Sequence, residues 1–203
     1  MKPDIFTIGH STHSWEEFLE LLWLHRIEAV ADVRSTPFSA RFPQFSKPVL
    51  ELRLREAKIH YVSLGEELGA RRSERECYVD GVARYDLIAD TPTFQAGLQR
   101  LRTGCQKFRL ALFCAEKDPL QCHRTILVCR NIRNSFAIHH ILADGSLEPH
   151  ESAEYRLRRE EGEGPDDLFL PHFELLARAY EQRAKAIAYR EATEPEKAPE
   201  PYA

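Results

Sequence analysis

Ionisable and thiol side chains gather in three short stretches of this chain, each of a type suited to acid–base work, anion binding or covalent catalysis. The first is Gly9-His10-Ser11-Thr12. A histidine there offers a ring nitrogen for proton transfer or metal binding, or a cap for a turn. Gly9 admits close backbone approach, and Ser11 adds a donor for an anion. The second is Asp32-Val33-Arg34-Ser35. Side chains two apart on a strand share a face. Asp32 is a candidate general base and Arg34 a candidate phosphate or carboxylate clamp, with Ser35 beside it; a plain Asp32–Arg34 ion pair is the rival. The third runs from Cys114-Ala115-Glu116 to Asp118-Pro119-Leu120-Gln121-Cys122-His123-Arg124. Glu116 reads as a base, a metal ligand or a partner for Arg34. His123 reads as a proton carrier, and Arg124 as an anion clamp at a helix N-terminus or a tie for its loop. Cys114 and Cys122 are candidate nucleophiles, although cysteine at a buried strand end commonly serves as a small core residue. Cys122 and His123 are read as diverging on a helix, hence no dyad.

The elements that must position these groups alternate between apolar runs and helical patterns. Strands are predicted at Ile5–Ile8, Glu28–Val33, Tyr61–Leu64, Phe108–Cys114 and Phe136–Leu142, with Phe108–Cys114 central because it is apolar throughout. Helices are predicted after the Ser14/Glu17 capping box, from Pro48, from Thr91-Pro92 to about Arg102, and from the Asp118-Pro119 cap to about Arg133. Residues 65–90 resist assignment. His140 and His150 flank a hairpin turn at Asp144-Gly145. The expected fold is α/β: one domain at 1–157 with a mainly parallel sheet of about five strands flanked by helices. A charged linker and C-terminal helix follow at 158–191, then a tail at 192–203. In open parallel sheets ligands bind beyond the carboxyl ends of the strands, so all three clusters are expected at one edge.

Composition limits the rest. Hydrophobic residues make up 43% of the chain and charged residues 30%, which argues against wholesale disorder. A formal net charge of −4 gives no global attraction to nucleic acid or anionic membrane, so any such binding needs a local basic patch. The loop residues Phe38, Arg41, Phe42 and Phe45, with Arg71, Arg72, Arg75 and Arg84, are the candidates for one. No run reaches the roughly 20 apolar residues of a membrane helix, and MKPDIFTIGH does not read as a signal peptide. Five unpaired cysteines without an export signal point to reduced thiols and a cytoplasmic protein. No cofactor is predicted and no residue is assigned to a metal; a divalent ion held by His10, Asp32, Glu116 and His123 is the minor alternative, since no paired CxxC is present.

The ordered segments TIGHST, DVRSTPFS, YVSLGEELG, LFCAEKDPLQCHR and HHILADGSLEPH resemble the bacterial and archaeal family called domain of unknown function 488, over roughly residues 5–157. The resemblance implies a compact α/β domain and supplies no reaction. Ala70 stands where a second glycine is usual. The leading functional expectation is an enzyme, hydrolase or transferase, acting on a phosphorylated or nucleotide-like anion. Asp32, Glu116, His123 and His10 would move protons, while Ser11, Arg34, Ser35 and Arg124 hold the anion. The alternatives are a rhodanese-like thiol transferase using Cys114 and a non-catalytic nucleic-acid or protein-binding module.

Overall fold

A computed structural model describes residues 2–163 and 171–191. In chain order its elements are β1 (Asp4–Gly9), α1 (Trp15–Leu24), β2 (Ala29–Asp32), α2 (Lys47–Glu56), β3 (His60–Ser63), α3 (Gly65–Leu68), β4 (Tyr78–Val79), β5 (Val82–Ala83), α4 (Tyr85–Asp90), α5 (Pro92–Cys105) and β6 (Leu110–Cys114). A π-helical segment, Arg124–Cys129, then runs into α6 (Arg130–Ile132), followed by β7 (Ala137–Ile141), β8 (Leu147–Pro149), α7 (His150–Glu160) and α8 (His172–Ile187). The protein is α/β. Its main sheet has six strands in the order β3-β2-β6-β1-β7-β8, parallel except for the antiparallel β7–β8 hairpin, and β4–β5 form a separate ribbon.

Strand periodicity explains why both faces of the sheet are covered. Ile5, Ala29, Ala31, Leu110 and Leu112 point into one core with α5, α7 and α8. Their neighbours Phe6, Ile8, Val30, Ala111 and Phe113 point into the other, with α1 and α2. Successive strand residues face opposite ways, so a strand buried on both sides must be apolar at every position. Strand β6, LALFC, is buried throughout and lies between β1 and β2, at the centre of the parallel pairings.

The caps behave as their chemistry dictates. Ser14 and Glu17 close a reciprocal capping box at α1, and Thr91 accepts from the Phe94 amide ahead of Pro92. Two expectations are corrected. Asp118 caps only the single 3-10 turn Pro119–Gln121, because Cys122 is extended (φ −137°, ψ 138°) and the helical stretch restarts at His123. Residues after His150 form α7 instead of a charged linker: Ala153 and Leu157 recur four residues apart and bury one stripe, so the expected boundary at 157 falls inside a helix. The expected C-terminal helix is α8, and its Leu176, Ala179 and Tyr180 enter the main core. Residues 65–90 hold α3, the β4–β5 ribbon and α4. Ala70 is buried and its φ is not positive, so that turn needs no glycine. The expected tail at 192–203 and the linker residues 164–170 lie outside the described residues. Among those described, no helix is long and apolar enough to cross a membrane.

Candidate functional site

The carboxyl ends of β1, β2 and β6 open onto one cavity of about 480 Å³. Hydrogen bonding between β1 and the chain after β6 continues past the strands, His10 N–H to the Cys114 carbonyl at 3.0 Å and Ser11 N–H to the Ala115 carbonyl at 2.9 Å. A Cβ at Gly9 would collide with the Glu116 carbonyl oxygen, which accounts for glycine in TIGHST. Ser11 sits at φ 50°, a strained conformation for a residue with a side chain, directly on the cavity wall. Gly65 and Gly69 let α3 lie against the backbone of Arg34 and the side chain of Ser35, where a Cβ would not fit. Of the sequence candidates, His10, Ser11, Arg34, Ser35, Cys114, Glu116 and His123 line this cavity.

Asp32 and Arg124 are not cavity groups. Asp32 is 1% exposed, and its two oxygens accept from the Arg34 amide (3.1 Å), Arg34 Nε (2.9 Å), Arg34 Nη2 (2.7 Å) and the Tyr61 hydroxyl (2.9 Å). A carboxylate so fully occupied positions Arg34 and leaves no lone pair suited to act as a base. Arg124 is fully buried; Nη1 donates to the Glu116 carbonyl at 2.8 Å, Nη2 to the Lys117 carbonyl at 3.4 Å, and Nε to Thr7 Oγ1 at 3.4 Å. It ties the loop after β6 to β1, and the anion-clamp reading falls because every nitrogen is committed inside the protein.

Arg34 keeps one nitrogen in reserve. Its Nη2 also donates to the Phe45 carbonyl at 2.9 Å and its guanidinium lies 4.6 Å from the Phe113 ring centroid, yet among the described residues nothing pairs with Nη1. His10 is similar. Its Nδ1 donates to the Ser11 carbonyl at 2.9 Å and its ring stacks on Phe45 at 4.4 Å, while Nε2 is buried without a hydrogen-bond partner. Burial, with Arg34 adding to it, lowers the His10 pKa to about 4, so the ring is neutral at pH 7.

Behind the histidine and arginine lies a sulfur cluster. The ligand atoms of Cys114, Cys122 and His123 all fall within 4.8 Å of one another. His123 donates from Nε2 to the Val33 carbonyl at 2.9 Å, which leaves Nδ1 as the lone-pair nitrogen, 3.7 Å from Cys114 Sγ. The expected divergence of Cys122 and His123 does not occur, because Cys122 sits on extended backbone before the helix begins. Arg124 N–H approaches Cys122 Sγ at 3.4 Å. Burial and the neighbouring Cys122 push the Cys114 thiol up. Burial acts on Cys122 in the same sense, but the Cys114 hydrogen bond and the positive Arg124 outweigh it and bring that thiol down. Burial raises the Glu116 carboxyl, with Cys122 contributing. The alternative metal set is also corrected: the atoms that converge are Cys114, Cys122 and His123, not His10, Asp32, Glu116 and His123.

The basic-rim candidates separate cleanly. Arg41 and Arg71 line the cavity with Phe38 and Phe42. Arg72 is buried against the Glu66 and Glu67 carbonyls, Arg75 pairs with Glu191, Arg84 with Asp86, and Phe45 belongs to the core. His140 and His150 meet at 3.0 Å but face away from the cavity. Tyr61 joins the site without a sequence signal. It reaches Asp32 because β3 pairs with β2, with Val30 opposite Tyr61 and Asp32 opposite Ser63; only strand order could have revealed it.

Fold and site together define an α/β protein with a partly unsatisfied polar cavity at the carboxyl edge of a parallel sheet. Residues 14–130 match the family model described as Domain of unknown function DUF488, and the chain belongs to that family. The matched stretch contains DVRSTPFS, YVSLGEELG and LFCAEKDPLQCHR. No curated protein and no solved structure matches the chain.

Proposed function

We propose that this protein is an enzyme, a hydrolase or transferase, that takes a small phosphorylated or nucleotide-like anion into the cavity. The observation that carries the reading is that two nitrogens of its lining residues are left unpaired among the described residues, the buried His10 Nε2 and Arg34 Nη1. Buried polar groups are almost always hydrogen-bonded, so the unmatched His10 lone pair calls for a donor, and the Arg34 Nη1 donor on the same lining favours a ligand that also bears an acceptor. A phosphate monoester supplies both in its monoanionic form, and a nucleotide adds the donors of its sugar and base. The lining carries Arg34, Arg41 and Arg71 against the single carboxyl of Glu116, a balance that favours an anion. Phe38, 70% exposed on the same lining, offers a flat face for a nucleobase.

Arg34, locked by Asp32, is preorganised, so it gives up little freedom on binding. His10 and Glu116 are the proton carriers within reach of the cavity, and the reactive end is the cluster of Cys114, Cys122 and His123. That cluster presents ligand atoms for a divalent metal as well as thiols for covalent work. The test is calorimetric titration with inorganic phosphate, pyrophosphate and a nucleoside monophosphate. Saturable binding of at least one is expected, weakened at least tenfold by Arg71→Ala with the thermal midpoint unchanged. No saturable binding across the panel overturns the reading.

One observation supports a second reading, thiol transfer: Cys114 borders the cavity with His123 Nδ1 3.7 Å from its sulfur. Iodoacetamide at neutral pH decides it, since a Cys114 that stays unlabelled in metal-free protein removes that chemistry.

A further inference from the structure

We propose that Cys114 Sγ, Cys122 Sγ and His123 Nδ1 hold one zinc-class divalent ion, with a fourth coordination position open to the cavity. The proposal rests on the anion-site reading above and gives that site its electrophile.

Four features of the geometry converge on a metal. First, spacing: around a tetrahedral zinc with Zn–S of about 2.3 Å and Zn–N of about 2.05 Å, sulfur and nitrogen lie roughly 3.6 Å apart. Cys114 Sγ and His123 Nδ1 are 3.7 Å apart, too long for a strong hydrogen bond and right for two ligands of one ion. All three ligand atoms fit within 4.8 Å. Second, the imidazole is set for ligation. Metal-bound histidines characteristically donate their other N–H to a carbonyl or carboxylate, which fixes the tautomer; His123 Nε2 does so to Val33 O at 2.9 Å. Third, the ligands stand on well-fixed backbone: Cys114 ends the central strand β6, while Cys122 and His123 are clamped between a 3-10 turn and the π-helical segment. Fourth, the face that stays open is the functional one. Cys114, His123 and Glu116 border the cavity and Cys122 lies behind it. Three protein ligands with one position left for water or substrate is the pattern of catalytic zinc, whereas structural zinc is closed by a fourth residue.

Two sulfurs and an imidazole select zinc or iron(II) over magnesium or calcium, which require oxygen ligands. With zinc bound, a water in the open position is acidified. Its proton passes to Glu116, the hydroxide adds to the electrophilic centre of the anion held by Arg34, the bond to the leaving group breaks, and Glu116 returns the proton to that group.

The experiment is titration of the chelator-stripped full chain with cobalt(II), then displacement by zinc. Saturation at one cobalt per chain is expected, with thiolate-to-cobalt charge-transfer absorption and tetrahedral ligand-field bands that zinc abolishes. Cys114→Ser and Cys122→Ser should each weaken cobalt binding at least 100-fold and remove or sharply reduce the charge-transfer band, while Cys105→Ser leaves both unchanged. Absence of that band in the folded wild-type chain overturns the proposal, and so does its full persistence in both folded variants. If a variant fails to fold, protection of Cys114 and Cys122 from alkylation by stoichiometric zinc in the wild-type chain is the deciding measurement; unprotected thiols refute the site. Phosphate titration of metal-free protein separates the two readings. Phosphate binding without the cobalt signature leaves the anion site standing and removes the metal; the signature without anion binding does the reverse.

Discussion

Two histidine-bearing clusters lie in this fold, and they differ in whether their hydrogen bonds close. Beneath β7, β8, α7 and α8 the chain builds a buried polar line in which each group is spent on the next. Arg124 Nε donates to Thr7 Oγ1 and Thr7 to His140 Nδ1 (2.8 Å). His140 Nε2 donates to His150 Nδ1, His150 Nε2 to the Tyr180 oxygen (3.1 Å), and the Tyr180 hydroxyl to Glu154 (2.9 Å), which also accepts from Arg133 (2.6 Å). With one ring proton on each imidazole the line runs in this direction, because its terminal carboxylate only accepts. Burial and the adjacent His150 hold His140 well below the ordinary histidine range, consistent with its neutral form. At the carboxyl edge of β1, β2 and β6 the pairing stays open: His10 and Arg34 line a cavity, and among the described residues nothing meets His10 Nε2 or Arg34 Nη1. Polar residues of the same types are therefore spent on one another in one place and, on the proposed reading, kept for a ligand in the other. What separates them is completeness of pairing, not burial.

The largest effect that can test this contrast is at Arg124, where the closed line begins. Removing one member of a buried charged network typically costs about 3–5 kcal/mol, since the partners are left unsatisfied. Arg124→Met is expected to destabilise by that amount in urea or to prevent folding, with anion affinity of any folded fraction unchanged. A stable variant that has lost anion binding would return Arg124 to the ligand site and erase the distinction. A smaller effect is expected at the other end of the line. The His150 and Arg133 hydrogen bonds, working against burial, bring the Glu154 carboxyl from 4.5 down to about 2. A depressed carboxylate adds stability above its unfolded pKa and loses it as pH falls toward the folded one. The contribution is therefore complete above about pH 5 and fades between 4.5 and 2, at most about 3 kcal/mol by linkage and about 2 after allowing for solvent screening. Glu154→Gln should trail the wild type by about 2 kcal/mol at pH 7 and close the gap progressively below pH 4.5. A gap constant with pH would show that the carboxylate charge is not what the line requires.

The sequence displayed the open cluster better than the closed one, and the reason is topological. Periodicity located β1, β2 and β6 to within a residue or two, and the rule that ligands gather beyond parallel strand ends then brought His10, Arg34, Cys114, Glu116 and His123 together. Pairing is a different matter. Asp32 and Arg124 carry the same chemistry as cavity groups. The sequence leaves an Asp32–Arg34 pair and an Arg124 loop tie open as rivals; the Arg34 contacts, the β2–β3 register that adds Tyr61 and the path of the 116–117 loop show that their capacity is used internally. The placement of Cys122 is hidden because Asp118-Pro119 reads as a long-helix start, and one extended residue after a 3-10 turn has no periodic signature. Glu154 lies in a segment whose charge masks an apolar stripe, while Tyr180 lies on a helix that the sequence shows as amphipathic without showing what its stripe covers.

The smallest stability effect, and the sharpest test of the comparison, belongs to His10. A phenyl ring occupies nearly the same space, keeps the stack on Phe45, and removes Nε2 along with the Nδ1 bond to Ser11 O. Because Nε2 has no partner, its loss frees the fold of an unsatisfied buried acceptor. The loss of one backbone-directed hydrogen bond works in the opposite direction, so His10→Phe should change unfolding stability at pH 7 by no more than about 1 kcal/mol. If that nitrogen is reserved for a ligand, the same variant should weaken phosphate binding at least tenfold, about 1.4 kcal/mol at the binding step. A substitution that costs ligand affinity while barely moving stability is the behaviour of an open group; in the closed line, Glu154→Gln should do the opposite. Equal losses of stability and affinity at His10 would mean that the cavity edge is held together as the buried line is, and the difference between the two clusters would disappear.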